Sequence, residues 1–253
     1  MVSMLIMDNS VESLFSLNIE ALAALDYKCS CGRYLVPNEM ALGRLLVEIP
    51  EDTALIVGIG SGTINDMARF LSYKLHIPYV IVGTAPSMDG YASVVSPLIV
   101  DGVKTTFEAV YPLAIVADLN IMKAAPMPML QAGLGDILGK YTALADWHLA
   151  HILKEEYFCE TVEKLVRTAV EKCEMAAERL HLRENDTLES LTEALILSGL
   201  AIGMVGVSRP ASGEEHHLSH CWEMMTMNCG KTTPWLQGII KNETRWRDDY
   251  VRT

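Results

Sequence analysis

Four short, almost uninterrupted apolar runs limit the fold of this chain more than any other feature. They are Ala54-Leu-Ile-Val-Gly-Ile-Gly60, Tyr79-Val-Ile-Val-Gly83, Pro97-Leu-Ile-Val-Asp101 and Leu113-Ala-Ile-Val-Ala-Asp118. Runs without polar alternation suit strands covered on both faces, as in a parallel α/β sheet. Between the first two, Ile64 to Leu75 repeats apolar residues at helical spacing, so strand, glycine turn, helix and strand form one βαβ unit. Past Asp118 the pattern turns helical, with helices expected over 129–154, 156–182, 187–207 and 214–229. The reading is α/β plus all-α, with an α/β part over residues 1–118, a helical part over 119–253 and a cleft between them.

The balance of charge narrows the partners. Against 32 Asp plus Glu stand 20 Lys plus Arg in 253 residues, a formal net charge of −12. An acidic surface repels phosphate-rich polymers and anionic bilayers, so neither nucleic acid nor a membrane surface is expected as a partner. Half of the residues are hydrophobic and 21% charged, which excludes a disordered chain. The longest apolar stretch, Ala194 to Val207, is interrupted by Ser198, Gly199, Gly203 and Gly206. It falls short of roughly 30 Å of hydrocarbon and reads as a buried helix, not a membrane insertion. The opening MVSMLIMDNSVE has no basic n-region or cleavage site, so a cytoplasmic location is expected. The six cysteines lack disulfide or zinc-ribbon spacing and read as reduced thiols.

Two loops follow strands where α/β sheets bind ligands. Gly58-Ile-Gly60-Ser-Gly62-Thr-Ile-Asn-Asp66 leaves a strand and opens a helix, which offers a phosphate free N–H groups and a partial positive charge. It is neither a Walker loop nor a Rossmann fingerprint, and a plain tight βα turn is the alternative. Thr84-Ala-Pro-Ser87-Met-Asp89-Gly-Tyr-Ala-Ser93 follows the next strand. In the helical part Asp136 and Lys140 lie one turn apart, a spacing more typical of a solvated ion pair. Ser212-Gly-Glu-Glu215 has capping-box form and would start a helix near Gly213, from which His216 and His220 project one turn apart. Histidines at that spacing with an aspartate on a neighbouring helix suit a divalent ion.

The strings GSGTINDMARFLSYKLHIPYVIVGTAPSMDGYASVVSPLI, AGLGDILGKYTALADWHLAH and SRPASGEEHHLSH, with CSCGR at Cys29 to Arg33, resemble the sn-glycerol-1-phosphate dehydrogenases. The likeness is to their bacterial AraM-type branch, within the iron-containing alcohol dehydrogenase and dehydroquinate synthase-like superfamily. It implies a partial parallel nucleotide-binding sheet followed by a helical metal-binding domain. It also implies reduction of dihydroxyacetone phosphate, a small phosphorylated three-carbon substrate, with NAD or NADP and one zinc or nickel ion. By the same likeness Gly62, Thr63, Ile64, Asn65, Asp66, Thr84, Ser87 and Ser93 contact the cofactor, and Asp89 binds substrate. Asp136 and His216 ligate the metal; Asp136 also lies near substrate, and His220 touches substrate and moves a proton. Arg209 is the candidate partner for the substrate phosphate, with a surface arginine as the alternative.

The chain also departs from that family. Where a further metal-binding histidine is expected in a Leu-His-Gly context stands Leu236-Gln237-Gly238, so the ion should be weakly held. The tail from Ile239 to Thr253 no longer resembles the family, which reads as truncation of the helical domain. The short stretch around Val36–Glu51 leaves no room for the opening strands of the nucleotide domain, so the strand at Ala54 is expected to have a bare edge. A bare edge and an unfinished core invite aggregation or altered oligomerisation, and a homo-oligomer such as a dimer is expected. Two readings stay open: a metal-dependent dehydrogenase, impaired or not, and a non-catalytic remnant or binding module of the same fold. Either way Asp136, His216 and the two turns are expected to converge on one crevice.

Overall fold

The computed structural model describes residues 2–8, 27–31 and 36–228. They fall into two compact units, one of Met1–Ala85 with Gly90–Met122, the other of Pro86–Asp89 with Lys123–Thr253. The first unit runs β1 (Val2–Asp8), β2 (Tyr27–Cys31), α1 (Glu39–Glu48), β3 (Thr53–Gly60), α2 (Gly62–Leu75) and β4 (Tyr79–Gly83). A short 3₁₀ turn (Gly90–Ala92), β5 (Val95–Val100), β6 (Val103–Glu108), β7 (Ala114–Ala117) and α3 (Leu119–Ala124) complete it and lead onward.

Five strands form one parallel sheet in the order β2-β1-β3-β4-β7. Their apolar runs do what continuous runs must: Met4, Ile6, Ile56, Ile59, Tyr79 and Ile81 are all buried. On α2, Ile64, Met67, Ala68 and Leu71 recur at helical spacing and are buried in the same unit. The order reverses between β1 and β3, the kind of switch at which open α/β sheets bind ligands beyond the strand carboxyl ends. β3 passes from there directly into the Gly60-Ser61-Gly62 turn.

The second unit is helical: α4 (Met127–Leu138), α5 (Lys140–Lys154), α6 (Glu160–Ala176), a 3₁₀ turn (Ala177–Leu182), α7 (Asn185–Val205) and α8 (Glu214–Asn228). α6 buries Val162, Val166, Ala169, Val170 and Cys173 along one stripe, and α7 is its main packing partner. α7 is long and apolar enough to cross a membrane by length and composition, and half of that window is buried inside the unit. Among the described residues Cys159, Cys173 and Cys221 are free thiols.

Four sequence expectations need correction. The edge of β3 expected to be bare is covered, because Met4↔Ile56 and Ile6↔Gly58 pair β1 beside it and β2 lies beyond. The apolar opening of the chain, considered above only as a targeting signal, is an inner strand with Met4 to Met7 buried. The run Pro97–Asp101 is not part of the parallel sheet. It belongs to β5, which pairs antiparallel with the unanticipated β6. Asp101 (φ 51°) and Gly102 (φ 76°) both adopt the left-handed region that a two-residue hairpin turn demands. The helix expected over 129–154 is two, α4 and α5, divided at Gly139. The run expected over 156–182 likewise ends its α-helix at Ala176 and tightens into the 3₁₀ turn, while α1 and α3 were not anticipated.

Gly133 on α4 marks a close approach in the second unit: a Cβ there would stand 1.9 Å from the Pro86 carbonyl oxygen. Backbone cannot yield as a flexible side chain can. Gly133→Ala should therefore cost at least about 1–3 kcal/mol in urea denaturation, and a variant as stable as the parent would contradict this packing.

Candidate active site

In the first unit the glycine turn is shaped by packing as well as by conformational freedom. A Cβ on Gly60 would lie 2.5 Å from the Ile64 side chain, so the start of α2 can sit against β3 only if residue 60 is glycine. Ser61, the N-cap of α2, makes no side-chain capping hydrogen bond, which leaves the first-turn N–H groups without that partner. Ile64 and Asn65 are buried. Asn65 Nδ2 donates to the Gly90 carbonyl at 3.0 Å, and its Oδ1 is buried with no hydrogen-bond partner. The donor-rich backbone suits the phosphates of a ligand such as a dinucleotide, and the orphaned acceptor suits a hydroxyl or N–H donor on it.

Arg69 ties this turn to the following loop. Its guanidinium is fully buried and donates to Tyr79 Oη (2.9 Å), Asp66 Oδ1 (3.1 Å), Val95 O (2.8 Å), Tyr91 O (3.2 Å) and Gly90 O. Tyr91 Oη lies 3.0 Å from the Ala85 carbonyl and 3.3 Å from that of Gly60, while Thr84 N–H donates to Gly60 O at 3.1 Å. Thr84 and Ser93 are buried at the two ends of the loop. Burial pushes the Asp66 carboxyl up to about 7, against the opposing pull of Arg69 and Lys104.

The second unit holds the denser constellation. Lys140, the first residue of α5, has no exposed surface. It spends its three ammonium donors on Asp89 Oδ2 (2.6 Å), Asp136 Oδ1 (3.1 Å) and Ala211 O (2.8 Å). The other Asp136 oxygen accepts the Asp89 N–H at 2.9 Å, and Ser198 Oγ on α7 donates to Asp89 Oδ2 at 3.0 Å. Burial alone would push the Lys140 ammonium down, but Asp136 and Asp89 more than offset it and hold it above the usual lysine value. The pair expected to be solvated is therefore buried, because two carboxylates and a carbonyl replace the water. Ser87 is buried in this unit as well.

α8 is anchored next to this cluster. Its first N–H, of Glu214, donates to Asp146 Oδ2 at 2.8 Å, so an aspartate on α5 supplies the cap that the sequence assigned to Ser212. A Cβ on Gly213 would meet Ala143 at 2.8 Å, which brings the lead-in of α8 against α5. His216 is half-buried on the first turn of α8. His220 lies on the same helix with its side chain outside the described residues, as is all of Gln237. Among the described residues no three of His, Cys, Asp and Glu form a metal-binding group. The donor types that are present, carboxylate and imidazole, fit zinc or nickel. Arg209 is not poised for a phosphate: it pairs with Glu156 through two hydrogen bonds of 2.8 Å.

Of the residues singled out from sequence, Asp89 and Asp136 are brought together directly. Lys140 was noticed without its burial, and Ser198 and Arg69 were missed. Arg69 carried a signal, a cation set within the apolar face of α2.

The family model for iron-containing alcohol dehydrogenases matches residues 3–126. A glycerol-1-phosphate dehydrogenase, NAD(P)+, of Halalkalibacterium halodurans is 44% identical over 222 residues, 83% of this chain and 56% of the relative. One of Geobacillus thermodenitrificans is 41% identical over 190 residues, 75% of this chain and 47% of the relative. The chain thus spans about half the length of the curated relatives it matches. In fold it is similar to a probable glycerol dehydrogenase from Sinorhizobium meliloti 1021, with a TM-score of 0.74 and 18% identity over 95% of this chain and 67% of the other.

The Asp66 carboxyl has a sign that can be measured. Its folded value of about 7 lies above the ordinary 3.8, so ionising it works against the fold. That penalty is complete above about pH 7 and gone below about pH 4. The urea midpoint should carry a component that falls between about pH 4 and 7, and Asp66→Asn should flatten it. An unchanged slope contradicts the assignment.

Proposed function

This chain belongs to the iron-containing alcohol dehydrogenase family, and from that premise we propose that the protein reduces dihydroxyacetone phosphate to sn-glycerol 1-phosphate with NADH or NADPH. The observation that carries the reading is the hydrogen bond from Asp89 N–H to Asp136 Oδ2, which joins the residue expected at substrate to the residue expected at metal. The names of the matched relatives support the same substrate and cofactor.

When bound, the nicotinamide supplies a hydride, and a zinc or nickel ion supplies positive charge for the developing alkoxide oxygen. The chain's own part is positioning. Backbone N–H groups of Gly62, Thr63 and Ile64 receive the cofactor phosphates at the start of α2. Asn65 and Asp66 contact the same ligand through their side chains, and Thr84, Ser87 and Ser93 are further cofactor contacts. Asp89 accepts hydrogen bonds from substrate hydroxyls, in an orientation fixed by Lys140 and Ser198. Asp136 and His216 hold the ion, and His220 delivers the proton to the new alcohol oxygen. With Arg209 paired to Glu156, the cation for the substrate phosphate comes from elsewhere in the whole protein. A cytoplasmic dimer is part of the proposal. The exposed Leu149, Ile152 and Leu153 on α5 support association through apolar surface.

Gln237 favours a second reading, a module that binds cofactor without turnover. Purified chain with added zinc or nickel should oxidise NADH on addition of dihydroxyacetone phosphate, followed at 340 nm. Cofactor binding without oxidation under either metal selects the second reading. Gln237→His should raise retained metal several-fold by elemental analysis, since imidazole is a better ligand than an amide oxygen; unchanged content places the third ligand elsewhere.

A further inference from the structure

Lys140 is already a cation at the place where a metal-binding carboxylate is proposed. Its ammonium sits 3.1 Å from Asp136 Oδ1 and 2.6 Å from Asp89 Oδ2, with no exposed surface. From this we infer that Lys140 is a tethered counter-cation that competes with a divalent ion for Asp136 and sets how tightly the chain holds metal. The inference rests on the metal reading above and adds to it the residue that tunes affinity.

Two carboxylates drawn toward one point in a dry interior repel each other, and a lone pair of them would not stay assembled. The ammonium removes that repulsion with no metal present, so Asp89 and Asp136 keep their positions in the metal-free chain. A divalent ion arriving at Asp136 then meets an ammonium that cannot withdraw. Lys140 is fixed by the backbone of α5, and the Ala211 carbonyl at 2.8 Å takes its third donor. Like charges in a low-dielectric interior repel strongly, so the ion is held more loosely than its ligands alone would hold it. A merely supporting role for Lys140, propping up the Asp136 side chain, predicts the opposite: its removal would loosen metal.

The direction of the change decides between them. Zinc is titrated into the full chain and into Lys140→Met and Lys140→Arg, read by calorimetry and by the zinc-induced rise in thermal midpoint. Lys140→Met should melt lower than the parent without metal, since a buried ion pair has lost one partner. It should bind zinc about tenfold tighter or more and show a larger zinc-induced rise. Lys140→Arg, which keeps the charge, should bind as the parent does. Where Lys140→Met does not fold, Lys140→Gln carries the same expectation, because its amide can still donate to Asp89 and Ala211. Equal or weaker zinc binding by the neutral variants, with binding by the parent intact, overturns the inference and leaves the metal reading standing. Absence of zinc binding in parent and variants alike overturns the metal reading and the inference with it.

Discussion

A cation taken out of water must be met by acceptors, and in this chain two such cations hold the segment that follows β4. Arg69 in the first unit gathers the hydroxyl of Tyr79, the carboxylate of Asp66 and three carbonyls of the segment that follows β4. Lys140 in the second gathers Asp89, Asp136 and the carbonyl of Ala211. Desolvating either group without those partners would cost several kcal/mol, so the segments that supply acceptors are fixed as firmly as the helices themselves. The stretch from Thr84 to Ser93 benefits within each unit: Gly90 and Tyr91 answer to Arg69, and Asp89 answers to Lys140.

Such anchoring matters because the stretch has little regular secondary structure of its own. Among the described residues it forms only the single 3₁₀ turn of Gly90–Ala92. Loops that carry chemistry are normally the mobile part of an α/β scaffold; here buried charge substitutes for regular hydrogen bonding. The tight glycines act in the same sense. Gly60 leaves room for the Ile64 side chain at the start of α2, and Gly133 lets α4 close on the Pro86 carbonyl.

Much of the architecture was legible in the sequence, and the reasons are local. Continuous apolar runs marked β3, β4 and β7, and helical spacing marked α2 and most of the second unit. Pairing was less legible, because it depends on partners far along the chain. Pro97–Asp101 looked like another inner strand, yet the Asp101-Gly102 turn sends it back on β6, and only that dipeptide gave notice. Residues 2–8 were too brief for a periodicity argument, though their place between β2 and β3 makes them central. At the site, spacing put Asp136 and Lys140 on one face but could not reveal that Asp89, Ser198 and Ala211 would close over the ammonium. Burial of charge is set by the tertiary fold, and no window of sequence contains it.

The position of β1 has a consequence for assembly. One of its two neighbours, β3, spans Thr53–Gly60 and is synthesised well after it. Until then one of its edges lies open, an invitation to pair with the wrong chain. Completion of the sheet therefore waits on translation past the glycine turn.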